Sequence, residues 1–274
     1  MKKAIIALMS LAGMASADFQ WNAEAGNYTN TDWCTQSNWT GYTSTWVEGK
    51  GPGGLGSNMY GEAITINNAS IFTGVAFESW ALKLTLSNGA QIKDATFKNI
   101  SGGGYINIGS GCVFSGAQTG GGNANNGTIT YTVADAGALT LSYGHNGYGD
   151  GSNIFNLGEN GSVNLTSTNG RAIGGKNTFN ATLVASEQGG LTSRVLAEVS
   201  NLTLNDLQYN FEGWTLSTEE ITEANYMNHI GEYWVSDADN KLTVYYATAP
   251  IPEPTTATLS LLALAGLAAR RRRK

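Results

Sequence analysis

The sequence predicts an all-β protein, specifically a right-handed parallel β-helix with a Trp-rich N-terminal cap and a small C-terminal cap. A short apolar–polar–apolar motif, the signature of a half-buried strand, returns along the middle of the chain. Turn-forming pairs such as Asn88-Gly89 and Asn160-Gly161 separate many of the copies. Glycine is abundant, at 36 residues, and charged residues make up only 13% of the chain. This composition is typical of many short strands joined by polar turns.

Most copies of the motif start roughly 20 residues apart, a spacing that favours stacked coils. One coil cannot bury its own inward face, but a stack builds a continuous core. Leu84 and Ile106 are therefore expected to stack in adjacent coils, with both side chains inward. A β-sandwich or jelly roll is the alternative, because Asn-Gly is also a strong hairpin turn. The copies are Ile64-Thr65-Ile66, Leu84-Thr85-Leu86, Ile106-Asn107-Ile108, Ile129-Thr130-Tyr131, Leu139-Thr140-Leu141, Val163-Asn164-Leu165, Thr182-Leu183-Val184 and Leu202-Thr203-Leu204.

The predicted N-terminal cap covers residues 18–62, and the predicted solenoid covers residues 63–210. Four of the chain's 7 tryptophans lie in the cap. The simplest interpretation of this cluster is a hydrophobic plug over the first coil. The alternative, which assigns a function, is an aromatic platform that binds glycans, formed by Trp33 and Trp39.

Residues 211–249 are predicted to form the C-terminal cap, which a solenoid needs to close its last edge. Ser217-Thr218-Glu219-Glu220 reads as a helix-capping box. It predicts a short helix that runs to about Ile230 and stops at Gly231. A final strong strand is predicted over residues 241–246.

Residues 1–17 have the three regions of a secretory signal peptide in order. Lys2 and Lys3 precede an apolar run, and Ala15-Ser16-Ala17 supplies the small side chains that signal peptidase requires. Cleavage there makes Asp18 the first residue of the mature protein.

The C-terminal segment, residues 250–274, contains Pro252-Glu253-Pro254 and an apolar run over residues 255–269. That run is shorter than the roughly 20 residues of an ordinary spanning helix. The basic end, residues 270–274, is expected to stay on the cytoplasmic side of the membrane and stop translocation. It consists of Arg270, Arg271, Arg272, Arg273 and Lys274.

These three elements together resemble the PEP-CTERM sorting signal of Gram-negative bacteria. The resemblance covers only about the last 24 residues. It implies transient residence in the inner membrane, recognition of Pro252 to Pro254 by an exosortase, removal of the tail, and delivery to the outer surface or extracellular matrix. Signal peptidase and exosortase are then the processing partners. The middle of the chain is similar in style to autotransporter-type adhesin β-helices.

The charge balance bears on other partners. Removal of both terminal segments takes away seven basic residues and one acidic residue, so the formal charge changes from −6 to about −12. An acidic protein of this kind is a poor partner for nucleic acid or anionic lipid. The two cysteines, Cys34 and Cys112, form either a disulfide, which export permits, or two separate buried thiols. Their number and spacing do not suit a zinc site.

The sequence contains few residues in patterns that support catalysis. The 2 histidines, His145 and His229, have no nucleophile motif beside them, and the acids of the repeat region are scattered. We therefore expect no enzymatic activity, no cofactor and no metal. The predicted function is that of an exported structural or adhesive surface protein, whose partners include extracellular polysaccharide or other surface proteins. A carbohydrate-binding surface module is the first alternative, and a polysaccharide-degrading enzyme is the second.

Overall fold

A computed structural model describes residues 19–42, 46–52, 63–77, 82–97, 104–118, 128–143, 152–168, 172–173, 175–186 and 188–250. Nearly all of the regular structure is β-strand. The chain divides into two compact units. The first contains the chain up to Thr182 together with Leu196–Asn210, and the second contains Leu183–Val195 together with the chain from Phe211 onward.

The first unit is a parallel β-solenoid. A four-residue helix, α1 (Asn30–Trp33), and a 3-10 helix over Gln36–Asn38 follow its second strand. The strands in chain order are β1 (Phe19–Trp21), β2 (Asn27–Thr29), β3 (Trp39–Thr40), β4 (Ala63–Ile66), β5 (Ile71–Thr73), β6 (Ala76–Phe77), β7 (Lys83–Leu86), β8 (Gln91–Phe97), β9 (Tyr105–Ile108), β10 (Val113–Gln118), β11 (Thr128–Val133), β12 (Ala138–Tyr143), β13 (Ser152–Leu157), β14 (Ser162–Ser167), β15 (Ala172–Ile173), β16 (Asn177–Ala181), β17 (Gly190–Ser200), β18 (Thr203–Leu204) and β19 (Leu207–Asn210).

From β7 to β14 successive strands alternate between two main sheets, so each of these coils contributes one strand to each. The first sheet has the order β19-β16-β13-β11-β9-β7-β4-β1-β3, and all its pairs are parallel except the pair of β1 with β3. The second sheet of this unit has the order β2-β5-β8-β10-β12-β14-β17, with β6 beside β8. A short third sheet pairs β15 with β18. This topology confirms the predicted parallel solenoid.

The Asn88-Gly89 pair decides against the sandwich alternative. Both residues have positive φ, 55° and 79°, as the predicted turn requires. The turn joins β7 to β8, and these strands lie in different sheets. It is therefore a corner of a coil and not the tip of a hairpin, so the sandwich interpretation is wrong.

The inward side chains stack from strand to strand, as predicted. Leu84 on β7 is the register partner of Ile106 on β9, and both are fully buried. Further along the same row, Tyr131, Phe155 and Phe179 stack with ring centroids 5.1 and 4.7 Å apart and nearly parallel planes. Aromatic rings in adjacent coils thus provide much of the core.

The recurring motif is spread over both sheets. The copies that start at residues 64, 84, 106 and 129 lie in the first sheet, whereas those at 139 and 163 lie in the second. This explains the extra copy and the uneven spacing. The copy at residues 182–184 is not a strand, and only Thr203–Leu204 of the last copy forms one.

Four corners that follow strands of the first sheet are β-turns stacked in register. Within each turn a backbone amide donates to the carbonyl three residues earlier, as in Cys112 to Gly109 and Gly161 to Gly158. Glycine is needed here because the corners approach closely. A Cβ at position 158 would lie 2.4 Å from the amide nitrogen of Asp135, and one at position 109 would lie 2.8 Å from the carbonyl oxygen of Leu86.

Coil stacking begins earlier than the sequence predicts. Strand β1 pairs with β4, and β2 pairs with β5, so the chain from Phe19 already belongs to the solenoid and not to a separate cap. The cap proper consists of α1, the 3-10 helix and β3, which covers the open edge of β1 by antiparallel pairing.

The second unit contains the predicted final strand but not the predicted helix. Its sheet has the order β17-β22-β21-β20, formed by residues 190–195 of β17 and by β20 (Thr215–Leu216), β21 (Glu232–Ser236) and β22 (Lys241–Thr248). The Ser217 hydroxyl donates to the carbonyl of Glu219 and so holds a turn, and the only helical residues between β20 and β21 form a 3-10 helix over Tyr226–Asn228. The capping-box interpretation is therefore wrong, because a local turn competes for the same serine.

Several predicted features lie outside the described residues. These are the signal peptide with its cleavage site at Asp18, and the tail from Pro252 to Lys274. Among the described helices, none has the length and apolar character needed to cross a membrane.

Candidate functional surface

The outward face of the first sheet carries an unbroken row of uncharged polar side chains, which we call the polar ladder. Strand pairing places one ladder residue on each of eight successive strands, directly above the last. Seven steps at about 4.8 Å give a length of roughly 34 Å. The ladder consists of Gln20, Thr65, Thr85, Asn107, Thr132, Asn156, Asn180 and Asn210.

At two steps of the ladder, neighbouring side chains bond to each other. The Asn180 amide nitrogen donates to Asn156 Oδ1 at 2.7 Å, and the Asn107 amide nitrogen donates to Thr85 Oγ1 at 3.4 Å. Amides and hydroxyls both donate and accept, so they can form such bonds along the row and still offer further positions outward. The ladder is thus a line of hydrogen-bonding groups, four of which are held by bonds to a neighbour in the row.

A second outward row runs beside the ladder, two residues away on each strand. It is more varied, with Tyr105 near the middle and Lys83 as the only charged member. We call the two rows together the ladder face. The second row consists of Ala63, Lys83, Tyr105, Thr130, Ile154, Thr178 and Gln208, all half-buried.

The second sheet offers a less regular surface. Its register shifts between Phe114 and Gly116, opposite Asp94, whose φ of 52° marks a bulge in β8. Charged side chains lie at outward positions on two of its strands, Lys93 and Asp94 on β8 and Glu198 on β17. These two strands flank the uncharged strands β10, β12 and β14. The described pairs of the first sheet from β1 to β19 show no such shift.

The tryptophans proposed as a glycan platform are in the core. Trp33 is fully buried and Trp39 is 3% exposed. Their rings meet edge to face, with centroids 4.7 Å apart, and the indole nitrogens donate to the carbonyls of Pro52 and Trp33, respectively. A platform must expose a ring face to its ligand, so that interpretation is wrong for this pair, and the structure shows the hydrophobic plug.

The two cysteines are free thiols, so the disulfide alternative is wrong. Cys34 follows α1, which packs against β2 and β5. Cys112 precedes β10, two strand positions beyond β5 in the same sheet. Two strand spacings are about 10 Å, which exceeds the usual Cα separation of a disulfide. Burial raises the pKa of the Cys34 thiol, which disfavours the reactive thiolate.

A cluster around His229 in the second unit was missed by sequence reasoning. Nδ1 of His229 lies 2.7 Å from Glu232 Oε2 and 3.3 Å from Ser217 Oγ, and Nε2 lies 3.0 Å from Glu219 Oε1. The hydrogen bond to Glu232 raises the pKa of His229; burial opposes this, and the bond to Glu219 adds to it. The signal available in the sequence was only a histidine three residues before a glutamate.

The cluster superficially resembles a serine–histidine–carboxylate triad, but its bonding suits a different role. Carboxylates on both ring nitrogens favour the doubly protonated imidazolium, which has no lone pair to accept the serine proton. The hydroxyl of Ser217 donates instead to the carbonyl of Glu219. The arrangement is a set of ion pairs that ties the turn after β20 to the start of β21.

Within the described part of the chain, no group of three or more His, Cys, Asp or Glu side chains is arranged to hold a metal ion. No family model matches the chain, and searches of curated proteins and of solved structures find no similar protein. The sequence patterns at the two termini and the outward surfaces of the fold are therefore the basis for an interpretation of function.

Proposed function

We propose that this chain is an exported bacterial surface protein with a structural or adhesive role, delivered to the outer surface or extracellular matrix by its C-terminal sorting segment. The observation that carries the proposal is the order of Pro252-Glu253-Pro254, an apolar run and a basic end, in a chain that also begins with a signal-peptide pattern. The sorting segment follows a β-solenoid whose ladder face is mainly polar and carries one charged side chain, Lys83.

The sequence of the tail gives a mechanism for sorting. The apolar run over residues 255–269 is short and rich in alanine, so it holds the bilayer weakly. The basic end keeps the C-terminus in the cytoplasm, so Pro252 to Pro254 emerges at the periplasmic face. The two prolines favour an extended backbone, the form in which a protease cleft binds its substrate. An exosortase at the membrane is the processing enzyme.

A solenoid suits a structural role because each coil repeats the same outward groups along a line. On the ladder face those groups are mainly threonine and asparagine. Their hydrogen bonds are weakened by salt less than the interactions of charged side chains are. Such a surface makes many weak contacts with a matrix. We propose no enzymatic activity.

The tail is tested by mass spectrometry of the protein from the surface of its native host. We expect a mature protein that begins at Asp18 and ends near Pro254. Replacement of Arg270 to Arg273 by glutamine is expected to block processing, because the charge that fixes the orientation is lost. Replacement of the same four residues by lysine is the matched control and is expected to preserve processing. Surface protein that retains Lys274 would show that the tail is a permanent anchor.

A further inference from the structure

We infer that the ladder face binds a neutral linear polysaccharide, laid along the stacking direction of the coils. This inference rests on the proposed surface role and names the class of partner. It assigns recognition to the outward face of the first sheet, between Gln20 and Asn210, and not to the buried tryptophans.

The chemistry of the face selects a neutral partner. Of the fifteen side chains in its two rows, Lys83 alone carries charge. The mature chain has a formal charge of about −12, so an anionic polymer is repelled as it approaches. Sugar hydroxyls both donate and accept hydrogen bonds, as do the amides and hydroxyls of the ladder. A neutral polysaccharide therefore meets matching groups without a desolvated charge.

The shape of the face selects a linear partner. The two rows lie about 7 Å apart on each strand and run for roughly 34 Å, so with its side chains the strip covers about 300–350 Å². A stable interface between folded proteins buries about 800 Å² on each partner. A strip this narrow and long is too small for a second copy of the chain but suits one extended polymer.

Tyr105 supplies the third element. It lies near the middle of the second row, between Lys83 and Thr130 and one outward position from Asn107 of the ladder. An aromatic ring offers an apolar face on which the C–H face of a sugar ring can pack, while the ladder bonds its hydroxyls. Strand β9 thus offers both an aromatic ring for apolar contact with a sugar, on Tyr105, and a hydrogen-bonding side chain, on Asn107.

The test uses the full-length protein with two neutral polymers, microcrystalline cellulose and soluble mixed-linkage β-glucan, and with anionic alginate as the comparison. We expect retention by at least one neutral polymer and none by alginate. Thr132→Glu places a charge in the centre of the ladder and is expected to lower retention about tenfold, because a hydrogen-bonding position is lost and a carboxylate must be desolvated.

Thr140→Glu is the matched control. Thr140 is half-buried at an outward position of β12, on the second sheet, so the two variants carry the same change of charge and volume. We expect the control to bind like the unmodified protein and both variants to unfold at similar temperatures. Tyr105→Ala is a second variant and is expected to weaken retention.

The inference is overturned if neither neutral polymer is retained, if alginate binds equally well, or if both threonine variants lose binding together. It is also overturned if sedimentation shows a dimer that Thr132→Glu dissociates, because the face then joins two copies. Any of these results leaves the proposed surface role intact, since that role depends on processing of the tail and on location in the native host.

Discussion

Gly158 shows how single glycines permit the coils to stack. Its amide donates to the carbonyl of Val133 at 2.7 Å, and a Cβ at this position would lie 2.4 Å from the amide nitrogen of Asp135. Gly111 differs, because it has a φ of 68° and no atom within 4 Å of an added Cβ. A side chain at position 158 would therefore cause a steric clash, whereas one at position 111 would cause only backbone strain.

We predict that Gly158→Ala lowers the free energy of unfolding by about 3 kcal/mol or more, because the corner of the coil must move apart from its neighbour. Gly111→Ala is expected to lower it by about 1–2 kcal/mol, the cost of a left-handed backbone for a residue with a Cβ. Urea unfolding of both variants provides the measurement. Equal losses would show that close stacking of the corners contributes nothing.

His229 makes the second unit sensitive to pH. The bond to Glu232, supported by that to Glu219, holds the pKa of His229 above its usual value of 6.5. A raised pKa in the folded state means that the ion pairs stabilise fully below about pH 6.5, where the histidine is charged in both folded and unfolded states. Their contribution is lost as the pH rises through the higher folded pKa.

We therefore predict that the second unit unfolds more easily as the pH increases above 6.5, and that His229→Gln removes this dependence. Glu232→Gln should reduce it, because the largest contribution to the shift is lost. Glu220→Gln is the control, since that exposed side chain is outside the cluster. Thermal unfolding between pH 5.5 and 9 is the measurement. A slope that persists in His229→Gln would assign the dependence to another group.

At the scale of elements, the N-terminal plug is held together by aromatic contacts. Trp33 meets Trp39, Phe72 and Phe77 edge to face, with centroids 4.7, 5.3 and 5.3 Å away. Position 51 must be glycine, because a Cβ there would lie 2.1 Å from the indole ring of Trp33. One residue of a four-residue helix thus joins α1 to β3 of the cap and to strands β5 and β6 of the solenoid.

We predict that Trp33→Ala destabilises the solenoid by about 3–5 kcal/mol, the usual result of removing a fully buried aromatic side chain. Trp33→Phe should be milder, because much of the ring contact remains. Chemical unfolding followed by circular dichroism checks both. If Trp33→Ala unfolds like the unmodified protein but no longer binds polysaccharide, Trp33 is part of a ligand platform after all.

Alternation of apolar and polar residues was sufficient to predict the strands, because each strand buries one face and exposes the other. It did not reveal which sheet a strand joins, since inward positions in both sheets carry the same residue types. The ladder was visible as the middle residue of three motif copies, Thr65, Thr85 and Asn107, but its continuity depends on strand register. The His229 cluster depends on the turn at Ser217, where the capping-box pattern predicts a helix.

At the scale of the whole molecule, stability rests on packing and hydrogen bonds, because both described cysteines are free. Each coil contacts its neighbours through paired strands, and the largest buried side chains are aromatic rings spread over several coils. Repeat architectures of this kind gain stability from the sum of their interfaces.

We predict that a reducing agent leaves the unfolding temperature of the purified protein unchanged. A thiol assay of the denatured protein should find both Cys34 and Cys112 reactive. The comparison of oxidised and reduced samples needs no variant, and Cys34→Ser provides a check on the thiol count. A lower unfolding temperature under reduction would show that the two residues do pair.

The parallel pairing of the first sheet also has a mechanical consequence. The backbone hydrogen bonds that join β4 to β7 and β7 to β9 lie along the stacking direction, and each strand pairs only with its two neighbours. Tension applied to the two ends of this unit therefore loads one strand pair at a time, as in a zipper, instead of shearing all pairs at once. Coils come away in succession and dissipate work while the remaining coils stay paired. A solenoid held at its two ends therefore lengthens under load before it breaks.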